Sequence, residues 1–336
     1  MSATFMAGGY PRWQIPNQSR LPRGIAGISD HMASAQWIDT HVHLVDFLQH
    51  PAAVHELRDT LVDAGAQRAV VFGLPLKKKW STAEPVRPDY YLDDNAPCHY
   101  HSLTDAIVLD LLPELESDGR LTVAPLVCGF DPTDRLAVEH VEFVWNRTDR
   151  WAGVGEVMFR HDDLTNLTLG EVPSPDHVAM DEVLAFCAEK EVPISLHHDS
   201  ASTGMPGRHE YIGALERALE RHRSTSVVWC HAGVSRRVDP SGQLGLVREL
   251  LGRHPNLTVE LSWVLLDRIV DGSDVAADWV EVITRHRDRF VVGTDTVGRA
   301  ETVKTRGRQI RTLLGALPVP VAHQVAVVNA ERLWFP

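Results

Sequence analysis

Short runs rich in Val, Ile and Thr alternate with longer segments of helical period from residue 36 onward, and this alternation limits the folds open to the chain. Eight runs have the composition of strands, and they begin at residues 37, 68, 121, 152, 192, 225, 257 and 289. Segments such as "VHELRDTLVDAG" and "YIGALERALERH" lie between them. Eight strands that are each followed by a helix close most simply into an α/β fold, the (β/α)₈ barrel. The rival is a doubly wound open sheet, but its usual phosphate loop, GxGxxG, is absent after the first run.

The chain is predicted to comprise an irregular arm and one domain. Residues 1–34 contain Pro11, Pro16 and Pro22 without clear periodicity, so we expect an arm that packs on the barrel or on a second subunit. Residues 35–336 form the single predicted barrel, since a chain of 336 residues that is 44% hydrophobic can bury an ample core. A homodimer is therefore one open possibility.

Charge and cysteine content argue against several classes of protein. With a formal net charge of −12 at pH 7, the chain offers no broad basic surface for DNA or RNA. Its four cysteines form no CxxC pair, which argues against a disulfide scaffold and a cysteine-ligated zinc module. The sequence also lacks a signal-peptide core and any stretch near the ~20 apolar residues that span a bilayer. We expect a cytoplasmic protein that binds neither nucleic acid nor membrane.

Polar residues that can bind metal stand near the carboxyl ends of several predicted strands. In "IDTHVHL" the extended backbone places Asp39, His41 and His43 on one face of the first strand. Barrel enzymes hold their catalytic residues at such strand ends. The later candidates are Glu156 on strand 4, His197 and His198 on strand 5, His231 on strand 6 and Asp295 on strand 8. Strands 2, 3 and 7 offer no ligand in this interpretation.

The alternation of side chains is compatible with convergence of these residues in the barrel lumen. His197 shares a face with the polar Ser195, and His198 lies on the opposite, apolar face, which favours His197 as the inward group. His198 is then a substrate contact or an orienting group, or the ligand itself if the strand slips by one residue. Four imidazoles and two carboxylates in one pocket need a cation between them, and such ligands suit Zn, Fe, Mn or Co.

The order of these motifs resembles the amidohydrolase superfamily of metal-dependent hydrolases, especially its amidohydrolase-2 and TatD-like members. The shared features are HxH on strand 1, a carboxylate on strand 4, His on strands 5 and 6, and Asp in "GTD" on strand 8. In addition, "NAERLW" near the end of the chain is similar to the closing NA-x-R-L helix of the family. The resemblance covers the chain from Trp37 to its end and implies a TIM barrel of amidohydrolase type.

The resemblance further implies a binuclear metal centre. One divalent ion would be held by His41, His43 and Asp295, the second by His197 and His231, with Glu156 as the bridge. Many binuclear members bridge their metals with a carboxylated lysine on strand 4, so Glu156 is a departure that matches the TatD-like branch. We expect two ions of Fe or Zn, with Mn or Co as alternatives.

Such a centre predicts hydrolysis by a metal-bridging hydroxide. Two divalent ions lower the pKa of bound water, and one of them also polarises the scissile carbonyl. Asp295 would contact both metal and nucleophile, so we expect it to take the water proton and deliver it to the leaving group. Asp39 is predicted to orient a ligand rather than to bind metal.

The bond cleaved is predicted to be a carboxylic thioester, ester or amide. The first choice is an acyl-CoA-type thioester in secondary metabolism, as in the dinuclear-metal thioesterase branch, because Lys77, Lys78 and Lys79 after strand 2 are placed to hold an anionic acyl compound. A run of this kind is most often a solvated surface. The alternatives are one-metal decarboxylation of an aromatic or enolic acid, a TatD-like nuclease, and a metal-stabilised binding protein without catalysis. Glu156 argues against decarboxylation, and the acidic net charge argues against the nuclease. The complete ligand set argues against the binding protein.

Overall fold

The computed structural model describes residues 36–76, 101–161, 164–165, 171–202 and 207–336. The arm of residues 1–34 and the three lysines Lys77, Lys78 and Lys79 lie outside these ranges. What the sequence predicts for the arm and for the lysines therefore stays a prediction.

Eight parallel strands, all at the predicted places, surround a common lumen. Seven of them are β1 (Trp37–Val45), β2 (Ala66–Gly73), β3 (Thr122–Val127), β4 (Gly153–Met158), β5 (Ile194–His197), β6 (Val227–Trp229) and β7 (Leu257–Leu261). A short antiparallel hairpin follows, formed by β8 (Val270–Asp271) and β9 (Asp274–Val275). The eighth barrel strand consists of β10 (Phe290–Val292) and β11 (Thr296–Val297). Neighbouring strands pair in parallel throughout, which confirms the predicted (β/α)₈ barrel.

Helices cover the outside of the barrel and close its lower end. They are α1 (Val54–Asp63), α2 (His101–Leu115), α3 (Ala137–Trp145), α4 (Val178–Glu189), α5 (Ile212–Arg221), α6 (Gln243–Arg253), α7 (Trp263–Ile269), α8 (Ala277–Arg285), α9 (Ala300–Ala316), α10 (Val319–His323) and α11 (Asn329–Trp334). In α5 the buried Leu215, Ala218 and Leu219 recur at helical spacing toward the strands, whereas Arg217 is exposed. Within the described ranges, no helix is long and apolar enough to cross a membrane.

The eighth barrel strand is broken in the middle, which the sequence does not predict. Its first part, β10, pairs with β7, and its second part, β11, pairs with β1, so the two parts together close the barrel. Asp295 lies in the break with a left-handed φ of 52°, and its N–H donates to the carbonyl of His41 at 3.0 Å. The backbone therefore turns at the point where a side chain enters the lumen.

The lumen is apolar at its lower end and polar at its upper end. The lower half contains a cluster of buried apolar residues, Ile38, Val70, Phe72 and Val291. Trp334 of α11 packs against this cluster, so that α11 covers the lower end. Because the apolar side chains fill the lumen from below, the polar residues at the carboxyl ends of the strands are confined to the top.

Candidate metal centre

Six predicted ligands meet at the carboxyl ends of the barrel strands. They are His41 and His43 from β1, Glu156 from β4, His197 from β5, His231 just after β6 and Asp295 from the break after β10. Five of the side chains are at most 3% exposed, and Asp295 is 12% exposed. The prediction that these residues converge thus agrees with their positions, although metal binding by them stays a proposal.

The first group consists of His41, His43 and Asp295. The Nε2 atoms of the two histidines lie 3.1 Å apart, and each is 3.4 Å from Asp295 Oδ1. Three donor atoms therefore point at one small volume, as the ligands of a single ion do.

Glu156 stands between this group and a second one formed by His197 and His231. His231 Nε2 lies 3.0 Å from His197 Nδ1, and Glu156 Oε1 lies 3.4 Å from the same Nδ1. The other carboxylate oxygen, Oε2, lies 3.4 Å from His41 Nε2 and 3.5 Å from His43 Nε2. One carboxylate thus directs one oxygen at each histidine pair, which is the geometry of a bridging ligand.

Two glycines allow the backbone to bring these side chains together. A Cβ at Gly155, which has a φ of 129°, would lie 2.4 Å from the carbonyl oxygen of Ser195. A Cβ at Gly293 would lie 2.8 Å from the Cβ of His41. Both glycines therefore allow the backbone to approach its neighbours closely, and larger residues would push strands apart at the centre.

Hydrogen bonds on the far side of three imidazoles fix where their protons lie. His41 Nδ1 is 2.8 Å from Glu260 Oε1, His43 Nδ1 is 3.2 Å from the Gly73 carbonyl, and His197 Nε2 is 3.0 Å from Asp199 Oδ1. These partners accept hydrogen bonds, so each ring carries a proton on that nitrogen. The other ring nitrogens of His41 and His43 face each other across 3.1 Å, an arrangement that a cation between them would stabilise.

Charge in the centre also favours a cation. Burial alone would lower the pKa of His41, but the charges of Glu260 and Asp295 outweigh it and raise that pKa well above its ordinary value. Burial alone would raise the pKa of Glu156 and of Asp295, but positive charge on His41 lowers both well below the usual range. Glu156 Oε1 is buried and accepts no hydrogen bond from the described residues. Two ionised, buried carboxylates beside a cluster of imidazoles suit divalent ions, which would replace the positive charge on His41.

Glu260 on β7 is a functional candidate that the sequence did not reveal, and it contacts a proposed ligand from a strand that was predicted to offer no ligand of its own. Its carboxylate is fully buried and accepts hydrogen bonds from His41 Nδ1, from the Ser262 hydroxyl at 2.6 Å and from the Thr40 hydroxyl at 3.1 Å. In "LTVELSW" the acid interrupts a run of buried apolar residues, which is the one signal that could have marked it.

Asp39 has a different position from the one predicted. It was expected to orient a metal ligand, but its carboxylate accepts from the backbone N–H of His41 and from both the N–H and the hydroxyl of Thr294. Burial raises its pKa to about 7. Asp39 therefore holds the break in the eighth strand, and the ring of His41 is oriented by Glu260 instead.

His198 and His161 occupy opposite sides of β5. His198 Nε2 donates to the Tyr211 carbonyl at 2.9 Å, away from the centre, and burial lowers its pKa to about 4. His161 stacks on His197 with ring centroids 4.5 Å apart, and burial lowers its pKa to about 3. Sequence reasoning missed His161 because it follows the strand end by three residues.

A cavity of about 230 Å³ opens above the centre. Its floor contains Glu156, His197 and Asp295, and its apolar walls and cationic rim come from the loops that follow the strands. A larger cavity, of about 780 Å³, lies at the opposite end of the barrel beside Trp37 and His323, but it contains none of the predicted ligands. The smaller cavity is therefore the candidate active site.

Comparisons with known proteins agree with the fold and the motifs. A family model described as amidohydrolase matches residues 38–335. No curated protein sequence is similar enough to count as a relative.

Solved structures with the same barrel are distant in sequence. An uncharacterised TIM-barrel protein from Bordetella bronchiseptica is 13% identical, with a TM-score of 0.57 over 89% of this chain and 98% of that one. An amidohydrolase from Burkholderia multivorans with bound zinc is 13% identical, with a TM-score of 0.54 over 89% of this chain and 99% of that one. A 2,6-dihydroxybenzoate decarboxylase from Rhizobium is 10% identical, with a TM-score of 0.53, again over 89% and 98%. At such identities the likeness shows the fold alone.

Proposed function

Because the chain belongs to the amidohydrolase family, we propose that it is a binuclear metal-dependent hydrolase of a carboxylic ester, thioester or amide. The observation that carries this proposal is the position of Glu156, which directs one carboxylate oxygen at each of two histidine pairs. A single ion would leave one of these pairs without a cation, so the donor set fits two.

The proposed ligands form two sets, the division that the family resemblance implies. His41, His43 and Asp295 would hold one divalent ion, His197 and His231 would hold the other, and Glu156 would bind both. The bound zinc of the Burkholderia relative supports zinc as one candidate, beside iron. When bound, such ions lower the pKa of a coordinated water and act as Lewis acids on the scissile carbonyl.

Asp295 is the residue best placed to move the proton in hydrolysis. It is the most exposed of the six, and its carboxylate lies at the cavity floor. In the reaction the nucleophilic water loses a proton to Asp295 as its oxygen bonds to the carbonyl carbon. The same proton then passes to the leaving alcohol, thiol or amine as its bond to carbon breaks.

Whether the bond cleaved is an ester, a thioester or an amide depends on the substrate that the cavity accepts. The thioester prediction rested on Lys77, Lys78 and Lys79, which lie outside the described residues and so add no support. A cavity of about 230 Å³ is smaller than the ~300–1,000 Å³ of typical ligand sites, so it would enclose the acyl part of a substrate and leave a large carrier such as CoA outside.

Decarboxylation of an aromatic acid is the second candidate. It is favoured by the Rhizobium decarboxylase, which has the same barrel over nearly its whole length. The two reactions are separated by their products, because a hydrolase consumes water and releases an alcohol, thiol or amine, whereas a decarboxylase releases CO₂.

The metal content of the purified protein tests the proposal. We expect elemental analysis to find two divalent ions per folded chain, and chelation to abolish hydrolysis in a panel of esters, thioesters and amides until metal is returned. His231→Gln is expected to reduce the content to one ion, whereas His55→Gln, at an exposed position in α1, keeps two. One ion per wild-type chain together with CO₂ release would instead favour the decarboxylase. Two ions with no turnover of any kind would favour a binding protein.

A further inference from the structure

We infer that residues 24–34 of this chain dock into the cavity of about 780 Å³ at the lower end of the barrel, where Ile25, Ile28 and Met32 cover its apolar wall. This segment is the last part of the arm, which lies outside the described residues. Of the two positions that the sequence leaves open for the arm, the barrel and a second subunit, the inference chooses the barrel. It is independent of the proposed function, because it concerns the end of the barrel opposite the proposed metal centre.

The cavity has an apolar wall that the described residues leave partly open. The wall includes Trp37, Leu314, Val319, Ala322 and Val327. Val319 is 71% exposed, the highest value among the large apolar side chains of the described ranges. A single exposed valine is ordinary on a protein surface, but one that lines a mostly apolar cavity of this size indicates a contact site.

The charged groups of the cavity are already paired, so an apolar occupant fits it better than an ion. Arg68 binds Glu331, and Arg120 binds both Asp59 and Asp118. Each of these two guanidinium groups thus has a carboxylate partner within the described chain. Neither is left over to attract an anionic ligand into the cavity.

The described part of the chain begins at the edge of this cavity. Gln36, the first described residue, lines it. The next residue is fixed, because the N–H of Trp37 donates to the Gly65 carbonyl at 3.2 Å and its indole donates to the Ala64 carbonyl at 2.9 Å. The segment that precedes Gln36 therefore leaves the barrel at the cavity.

The arm has the length and composition that such a contact needs. An extended chain rises at most about 3.6 Å per residue, so the large apolar residues nearest to Gln36, which are Met32, Ile28 and Ile25, can reach the cavity. Residues 1–34 contain three arginines, one aspartate and no lysine or glutamate, so the rest of the chain carries the net charge of −12. Opposite charge draws the arm toward the barrel, and burial of the apolar side chains then stabilises the contact.

Thiol labelling of the full chain tests the inference. Val319→Cys places a thiol in the cavity wall, and Phe143→Cys places one in α3, where the native side chain is 64% exposed. A docked segment leaves the first thiol reactive only in a minor open state, populated at ~0.1–10%, so we expect a maleimide to label it at least about 10-fold more slowly than the second. Mass spectrometry of the digested protein assigns each label to its residue. Equal rates would overturn the inference.

Substitutions in the arm assign the protection to its segment. Labelling of Val319→Cys is expected to become as fast as that of Phe143→Cys when three changes are added together, Ile25→Asp, Ile28→Asp and Met32→Asp. Protection that survives these changes would overturn the inference, because the occupant would then be a small molecule or another protein.

Matched changes earlier in the arm provide the control. Ile15→Asp and Leu21→Asp alter apolar residues of the same arm outside residues 24–34, so labelling of Val319→Cys is expected to stay slow. Fast labelling in this control would overturn the assignment to residues 24–34.

Dilution separates docking within one chain from docking between two copies. A contact within one chain does not depend on protein concentration, whereas a contact between copies is lost as the protein is diluted. We expect the labelling of Val319→Cys to be equally slow at every concentration. Labelling that becomes faster on dilution would overturn docking within the chain and would show that the arm covers the cavity of a second copy.

Discussion

Each histidine of the first group carries its proton on the ring nitrogen that faces away from the centre. For His41 this proton lies on the hydrogen bond to Glu260, a fully buried carboxylate that two hydroxyls also hold. A carboxylate in this position fixes the tautomer of an imidazole and makes its other nitrogen a better ligand. The strength of the proposed metal site thus depends on a residue that touches no metal.

Replacing Glu260 tests this dependence. Glu260→Gln keeps the shape of the side chain but removes its charge, so we expect metal retention to weaken about 10-fold to 100-fold, the usual effect of losing such a partner. Titration with a chelator, followed by elemental analysis, measures this. Glu281→Gln in α8, where the glutamate is 61% exposed, is the matched control. Equal retention in the two variants would show that Glu260 does not support the site.

Replacing Asp295 separates proton transfer from metal binding. Asp295→Asn retains an oxygen ligand but cannot accept the proton, so we expect nearly full metal content and a kcat lower by about 100-fold to 10,000-fold. The exposed Asp63 of α1 provides the control Asp63→Asn, which is expected to leave kcat unchanged. Normal turnover of Asp295→Asn with both ions bound would refute the proton role.

The six proposed ligands could be picked out from the sequence because each stands in or just after a strand that its β-branched neighbours reveal. Glu260 and Asp199 were not predicted, since an acid in or after a strand looks the same whether it pairs with a histidine or with solvent. Only the three-dimensional contacts, His41 to Glu260 and His197 to Asp199, distinguish these cases. Orienting residues are therefore harder to predict than the ligands they orient.

Among the elements, the eighth strand shows how a distant residue overrides a local pattern. "RFVVGTDT" predicts one continuous strand, but Asp39 on β1 binds Thr294, and the carbonyl of His41 accepts from Asp295. These partners lie about 250 residues away in sequence, so no local signal predicts the break. The elements themselves were predictable, and the interruption that positions Asp295 was not.

Helix α2 and strand β3 are joined by a buried acid at the edge of the site. Asp105 of α2 accepts hydrogen bonds from the N–H groups of Cys128 and Gly129, directly after β3. Burial nevertheless raises its pKa to about 6, above the 3.8 of an unperturbed aspartate. Its ionised form is therefore less stable in the folded chain than in the unfolded one.

The pH dependence of stability tests this account of Asp105. Because the folded chain holds the proton more tightly, Asp105 lowers stability above pH 6, and this penalty disappears as the pH falls from about 6 to about 4. Unfolding by denaturant is expected to show that wild type gains about 3 kcal/mol relative to Asp105→Asn over that window, from 1.36 kcal/mol per pKa unit. A difference between the two proteins that is independent of pH would contradict the shifted pKa.

In the whole molecule, the residues that stabilise the fold and the residues proposed for chemistry lie at opposite ends of the barrel axis. Apolar side chains and α11 close the lower end, while the proposed metal ligands and the cavity occupy the upper end. The carboxyl-terminal motif "NAERLW" belongs to the lower end, where Asn329 joins α11 to the segment that leads into the eighth strand. Changes there are expected to act on folding without altering the site.

Asn329 is the residue at which this separation can be tested. It is fully buried, and its amide donates to the carbonyls of Phe290 at 2.7 Å and Arg287 at 2.8 Å. Asn329→Ala leaves these two acceptors without a partner, at about 1–3 kcal/mol for each buried group, so we expect the free energy of unfolding to fall by about 2–6 kcal/mol. Glu301→Ala, at a position 79% exposed in α9, is expected to change it by less than about 0.5 kcal/mol. Metal content per folded chain is expected to be equal in both variants; if Asn329→Ala lost metal at unchanged stability, the two ends of the barrel would be coupled after all.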